Sequence, residues 1–353
     1  METREKVSVL MKAAIYRRYG PPEVVQLEDV AMPVPKDNEI LVRVHATTVC
    51  ATDSRIRKAD YFVFRLFIGL TKPRKPVIAG VEFSGRVVQV GKDVSRFKVG
   101  DLVFGWPGSG KGTHVEYLCM AESGAVEFKP ANMSLAEAAS IFCGGMTALV
   151  FLKKAKVEAG QNVLIYGASG AVGVFAVQLA KDLGARVTGV CGPTNLELVK
   201  SLGADAVIDY TKDDFSEAGR IFDVIVDTVD KSGFSRSMKA LKPGGTYALI
   251  AGPFIPSLGR LWASLTGAAK FVSPFAGASV KNFGPHLALL KELIESGKLR
   301  TVIGRRYAFT EIAQAHAYVD TGHKVGSVLV LVEAANDAEG FASHLAMKPR
   351  ART

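Results

Sequence analysis

The sequence predicts a two-part α/β protein, with a β-rich unit followed by a doubly wound parallel sheet. Three observations predict it. The first third of the chain holds short strand-like runs broken by Gly, Pro and Asp. From Ser134 onward, apolar strand cores alternate with amphipathic helical stretches, the pattern of a parallel sheet with crossovers. Within that second region, "YGASGAVG" (Tyr166–Gly173) joins the apolar run "QNVLI" to the helical run "VFAVQLAKDLGA".

The elements follow in chain order. "MKAAIYRRYG", "EILVRVHATTV", "FSGRVVQVG", "DLVFGW", "EYLCM" and "AVEFKP" read as strands of a compact barrel or sandwich. "SLAEAASIFCGGMTALVFLKKAKV" reads as one helix, opened by Ser134 and Glu137 as a capping box. "QNVLIYG", "RVTGVC", "AVIDY", "FDVIVDTV" and "TYALIAG" are strands, and "AVGVFAVQLAKDLG", "NLELVKSLG" and "FSRSMKALKPGG" are helices. Gly184 and Gly203 stand where a left-handed helix stop belongs. "PHLALLKELIESGKL" and "TEIAQAHAYVDTG" are helices, and "TVIGRRYAF" and "GSVLVLV" are strands that can return to the first unit. The tail from Glu333 is expected to be disordered. The boundaries read as 1–130 plus 276–353 for the β-rich unit and 131–275 for the parallel-sheet unit.

With 353 residues, the chain is long enough for two domains and a large core. Its net charge is +10, but the basic residues are scattered and no nucleic-acid motif accompanies them, so no nucleic-acid partner is expected. An anionic cofactor suits such a field. The four cysteines, Cys50, Cys119, Cys143 and Cys191, form no CxxC pair, which fits reduced thiols in the cytoplasm rather than a disulfide framework or zinc knuckle. No secretory signal is expected and no stable membrane insertion, since Arg260 and Lys270 interrupt the most apolar stretch.

A strand ending in a glycine-rich turn that opens a helix is an anion site, because backbone N–H groups and the helix dipole point at the ligand. Read against G-x-G-x-x-G, the register is Ala168-Ser169-Gly170-Ala171-Val172-Gly173, with the first glycine replaced by alanine and Gly167 just before it. Gly170 lets the backbone approach a pyrophosphate and Gly173 lets the helix pack closely. The next strand ends in "GVCGPTN" and carries no acid to bind ribose hydroxyls or repel a 2′-phosphate. Thr194 and Asn195 offer neutral hydrogen bonds, and Lys200 follows on the helix, so NADPH is the expected cofactor. Tyr210, ending "VIDY", is placed to cover the ribose or phosphate, or is an ordinary strand-end tyrosine.

"ILVRVHATTVCATDSRIRKADY", "PVIAGVEFSGRVVQVGKDVSRFKVGDLVFG", "GASGAVGVFAVQLAKDLGARVTGV", "LGADAVIDY" and "ALKPGG" together resemble the medium-chain dehydrogenase/reductase superfamily, over Met11 to about Val332. Within it the chain looks like the zinc-independent quinone oxidoreductase and enoyl reductase branch. That resemblance implies a GroES-like catalytic domain, a Rossmann domain and a cleft between them for NADPH and a small hydrophobic carbonyl or quinone. It also implies a homodimer whose Rossmann sheets pair edge to edge. Cys50 matches the first zinc-ligand position of the alcohol dehydrogenases and Cys143 falls near the third, but the "GHE" position reads Gly80-Val81-Glu82. Valine cannot ligate, so no metal is expected and both cysteines become residues lining the cleft, Cys50 beside the cofactor.

The resemblance carries further positions. Tyr61 falls where enoyl reductases of this branch place a tyrosine donor, which can protonate an enolate; the plainer reading is a cleft-lining or core tyrosine. Thr147 matches a threonine beside nicotinamide and phosphates, Val229 a strand end at the adenosine ribose, and Ala251 and Gly252 a strand end at the nicotinamide. Lys324 resembles a lysine that reaches the cofactor, against the alternative of a solvated lysine. Asp53 reads as a turn or cap rather than a general acid, and His323 as a surface residue. Pro253–Phe275 is long and apolar, and reads as a lid, an oligomer contact or a membrane-surface patch. The expected activity is hydride transfer from NADPH to a quinone or an α,β-unsaturated carbonyl. A zinc-type alcohol dehydrogenase and a non-catalytic NADPH-binding protein are the alternatives.

Overall fold

The structure is a computed structural model that describes residues 9–60, 62–250, 269–273 and 282–332. The β-rich unit opens with β1 (Leu10–Tyr16), β2 (Gln26–Ala31) and β3 (Glu39–Val49), followed by α1 (Ala51–Lys58) and α2 (Phe62–Ile68). It continues with β4 (Val77–Ile78), β5 (Phe83–Val90), β6 (Leu102–Trp106), β7 (Tyr117–Ala121) and β8 (Ala125–Phe128). β3 is the spine: it pairs antiparallel with both β5 and β7, and nine of its eleven residues are buried.

The predicted long helix from Ser134 is three pieces. Ser134 and Glu137 cap α3 (Leu135–Ala138) reciprocally, Ser134 Oγ accepting from Glu137 N at 3.2 Å. A π-helical turn, Phe142–Met146, follows, and then α4 (Thr147–Ala155). The continuous-helix reading is corrected by Glu82, whose carboxylate takes the Cys143 N–H at 2.7 Å and holds the ladder in a wider register there. Leu135–Ala155 is apolar enough and long enough to cross a membrane, but 72% of its most apolar window is buried inside the protein.

The parallel sheet is built from β9 (Asn162–Tyr166), α5 (Ala171–Asp182), β10 (Arg186–Cys191), α6 (Leu196–Ser201), β11 (Ala206–Asp209), β12 (Phe222–Asp227), α7 (Phe234–Ala240), β13 (Leu241–Leu249) and β14 (Lys270–Val272). Its order, β11-β10-β9-β12-β13-β14, reverses direction beside β9, and the glycine turn leaves the C-terminal end of that strand. Gly184 and Gly203 take φ of 81° and 101° as helix stops. "KPGG", read as a helix end, lies within β13: α7 stops at Ala240 and the chain extends at once. β14 lies in the stretch read as a lid, oligomer contact or surface patch and is the sheet's sixth strand; residues 253–268 and 274–275 of that stretch lie outside the described residues.

The chain then forms α8 (Gly284–Glu295), β15 (Ile303–Ala308), α9 (Ile312–Asp320) and β16 (Ser327–Leu331). β16 pairs antiparallel with β3, closing a seven-stranded sheet from both ends of the sequence. α8 packs its Leu287, Leu290, Leu293 and Ile294 into the same core as α4 and α5, so the two sheets share a wall. The tail from Glu333 lies outside the described residues.

Candidate functional site

A cleft of about 2450 Å³ runs between the two sheets. That is several times an ordinary ligand pocket and has room for a dinucleotide and an acceptor together. Of the sequence-predicted residues, Cys50, Thr147, Ser169, Gly170, Ala171, Val172, Thr194, Asn195, Tyr210, Val229 and Lys324 line it. Gly173 does not. It is buried behind the turn, where a Cβ would lie 2.1 Å from the Gly167 carbonyl oxygen and 2.7 Å from Ala168. Tyr61, Ala251 and Gly252 lie outside the described residues. Lys200 is exposed and faces away from the cleft wall.

The turn is shaped by its own bonds. Gly167 takes φ of 81°, and a Cβ there would meet Thr228 Oγ1 at 2.5 Å. Gly170 N donates to Gly167 O, and α5 starts at Ala171, so its first N–H groups face the cleft. Across from it, Gly144 presses on α5: a Cβ there would sit 2.4 Å from Ala171 O. The double glycine before Met146 is therefore a packing requirement, and it brings Thr147 to the cleft.

At the end of β10, Gly192–Asn195 lines the cleft beside Tyr210, which is 47% exposed. Two basic residues that the sequence reading missed stand nearby, Lys231 and Arg236. Buried Asp227 folds their loop, accepting from Val229 N, Asp230 N and Ser232 N. Arg236 Nη2 donates to Lys231 O at 2.9 Å, and its guanidinium lies over the Phe215 ring at 5.5 Å. Asp214 approaches it only to 3.9 Å. Nothing in a motif announces them; only the Asp-directed loop does.

At the other end, α1 begins after Cys50. Asp53 caps it, taking Cys50 N at 2.8 Å and Gly80 N at 3.0 Å, so its role is structural as read. Trp106, Phe142 and Phe283 form an aromatic wall, with ring centroids 5.4 to 5.8 Å apart. Beside it, the Cys50 thiol is hydrogen-bonded to Cys143 and buried, which pushes it well above the usual thiol range. Glu82 is 2% exposed; burial raises its carboxyl to about 7, against hydrogen bonds from Thr48 Oγ1 and Cys143 N. Lys324 is half-buried, and desolvation lowers its ammonium below the usual range while Cys50, Cys143 and Glu82 oppose the shift. His323 is exposed.

Two family descriptions match the chain: an alcohol dehydrogenase GroES-like domain over residues 36–158 and a zinc-binding dehydrogenase domain over 202–330. A tomato 2-methylene-furan-3-one reductase is 32% identical, covering 93% of this chain and 81% of its own. An Arabidopsis thaliana chloroplastic NADPH-dependent alkenal/one oxidoreductase is 29% identical, covering 91% and 79%. The quinone oxidoreductase of Coxiella burnetii superposes with a TM-score of 0.81 at 30% identity, covering 92% of this chain and all of that one. The chain belongs to the medium-chain dehydrogenase/reductase superfamily. Within it, the zinc-independent quinone oxidoreductase-like branch is its place, and it is an oxidoreductase.

A pyridine dinucleotide fits this cleft, since Ser169–Val172 of the turn line it and the start of α5 faces it. Zinc does not fit. Val81 holds the histidine position, and Lys324 sets a cation against the two thiols and Glu82. Among the described residues, no three His, Cys, Asp or Glu side chains converge as a ligand set.

Proposed function

We propose that the chain is an NADPH-dependent, zinc-independent reductase whose acceptor is a quinone or an α,β-unsaturated carbonyl. One observation carries the reading: a single cleft joins the phosphate-binding turn to an aromatic wall beside a polar cluster of Cys50, Cys143, Glu82 and Lys324. The nicotinamide, when bound, supplies the hydride. Ser169–Val172 seat the pyrophosphate, and Thr194, Asn195, Tyr210 and Val229 surround the adenosine ribose. Cys50, Thr147 and Lys324 line the nicotinamide end, where Trp106, Phe142 and Phe283 pack the acceptor and exclude water. Tyr61 marks the family pattern's position for a hydrogen-bonding phenol at the acceptor end, beside any other donor to the acceptor oxygen.

The NADPH preference is supported by the missing acid after β10 and by Arg236 and Lys231 at that end of the cleft. A homodimer is supported by β14, which stands at the sheet's edge among the described strands with its outer backbone groups open to pairing. A cytoplasmic location is supported by four unpaired thiols. The test is loss of reduced-nicotinamide absorbance with NADPH or NADH and either an ortho-quinone or a medium-chain enal. Turnover of one acceptor with NADPH preferred sustains the reading. Binding of NADPH with turnover of neither leaves a binding protein.

A further inference from the structure

Lys324 sits on the short loop between α9 and β16, and three bonds fix where that loop goes. Gly326 N donates to Ser169 O at 2.8 Å, tying the loop to the phosphate-binding turn. Ser327 N donates to Val302 O at 2.8 Å. Lys324 Nζ donates to Gly326 O at 2.8 Å, which fixes one of its three protons and leaves two for the cleft. Gly326 itself permits only this path: φ is 51°, and a Cβ would strike Val302 O at 2.1 Å.

The ammonium feels the charge of titratable groups from three different elements: Cys50 before α1, Cys143 in the π-helical turn and Glu82 before β5. Cys50, Cys143 and Lys324 all line the cleft. Glu82 lies beneath them, fixed by Thr48 Oγ1 at 2.5 Å and Cys143 N at 2.7 Å, with Asp53 as its other charged neighbour. A lysine with two free N–H donors, half-buried at a meeting point of both sheets, is able to meet developing negative charge on an acceptor oxygen.

We propose that Lys324 is a catalytic residue of the reductase proposed above, with its Nζ, anchored on Gly326 O, donating to the acceptor carbonyl oxygen and supplying the proton. The step balances for an enone. Hydride and its electron pair arrive at the β-carbon, and the C=C pair moves toward oxygen as an enolate. The enolate oxygen takes a proton from Lys324 as that N–H bond breaks, the enol so formed gains a proton from water at its α-carbon and loses its O–H proton to water to give the saturated carbonyl, and the neutral amine regains a proton from water. The enone is reduced by two electrons and the nicotinamide oxidised by two. A quinone needs less, because both oxygens of the reduced ring can draw protons from solvent. The lowered ammonium of Lys324 brings its proton affinity nearer to neutrality, which suits the role.

The test compares Lys324→Met and Lys324→Arg with the parent protein, measuring NADPH binding by fluorescence and kcat for an enal and an ortho-quinone across pH. Lys324→Met is expected to bind NADPH within about threefold of the parent and to lose enal kcat by roughly 10²–10³-fold, with quinone kcat falling less than about tenfold. Lys324→Arg is expected to recover part of the enal rate and to move the basic limb of its pH profile upward, since guanidinium holds its proton longer. Enal turnover by Lys324→Met within about threefold of the parent overturns the proposal. NADPH binding weakened more than about tenfold also overturns it, because the lysine then serves the cofactor. If Lys324→Met does not fold, Lys324→Arg decides alone: an unmoved basic limb refutes the role. Failure of the parent protein to turn over either acceptor is a failure of the proposed function, distinct from all of these.

Discussion

His316 offers the sharpest test of the packing argument. It lies on α9, fully buried, and neither ring nitrogen has a protein hydrogen-bond partner. Its ring stands edge-on to His114, with centroids 5.6 Å apart. Desolvation, then His114 and Arg57, lower its proton affinity well below the ordinary value of 6.5, and Asp320 opposes them only weakly. Below that ordinary value the unfolded chain binds a proton that the folded chain refuses. Stability is therefore present above about pH 6.5 and is lost as pH falls toward the depressed folded value. The limit is about 1.4 kcal/mol per pH unit for one ring, or about 2 kcal/mol on going down to about pH 5. The perturbation is His316→Leu, close in volume and without a polar atom. Near pH 7.5 the lost unpaired N–H is worth roughly 1–3 kcal/mol, offset by up to about 1.5 kcal/mol of imperfect packing. The variant should be about as stable as the parent or slightly more so there. At about pH 5 it should lead by roughly 2 kcal/mol more. Urea midpoints of both proteins from about pH 5 to 8 measure this. Parallel curves would refute the argument that the buried ring refuses a proton.

Three other outcomes are expected. Gly173→Ala should cost roughly 2–4 kcal/mol and abolish NADPH binding, because its Cβ falls 2.1 Å from Gly167 O inside the phosphate turn; thermal melts with and without NADPH read both effects. Glu82→Gln should stabilise the protein at about pH 8 by roughly 2 kcal/mol and not at all near pH 4.5, since a carboxyl raised to about 7 is costly once ionised and an amide can accept only one of its two hydrogen bonds. Calorimetry at the two pH values checks it. Arg57→Met should destabilise by roughly 3–5 kcal/mol, because fully buried Arg57 neutralises Asp320 at 2.7 Å and donates to Gly20 O; adding Asp320→Asn should restore part of the loss in denaturant melts.

The parallel sheet and its phosphate turn were legible because each carries a local signature. Strand, glycine turn and helix follow one another without a gap, and Ser134 with Glu137 marks a helix start by side-chain chemistry alone. Features set by distant partners were not legible. The π-helical turn depends on Glu82, sixty-one residues away in sequence from Cys143. Arg236 and Lys231 reach the cleft because Asp227 curls the chain behind β12, with Asp230 at φ 60°, and no residue type there predicts the direction of the curl. β14 is three residues long, too short for a period-two pattern to stand out from its apolar neighbours. Lys324 was legible as a cleft residue, but its neighbours were not, because the chain has to close β16 onto β3 before they meet.

That closure bears on how the chain is made. Every strand of the six-stranded sheet among the described residues lies between Asn162 and Val272, so this unit has its full complement while the ribosome is still at work. β3 is synthesised early but pairs with β16, the last strand described, through Val49 with Val328 and Ala46 with Leu331. Until β16 emerges, one flank of β3 is an unpaired edge bearing Thr47, Thr48 and Val49, all buried in the finished fold. The GroES-like half is a host that waits for its insert, and the last few residues of β16 act as its latch. A chain cut short before Ser327 would keep a complete nucleotide-binding half and leave the other half with an open, apolar edge prone to aggregation.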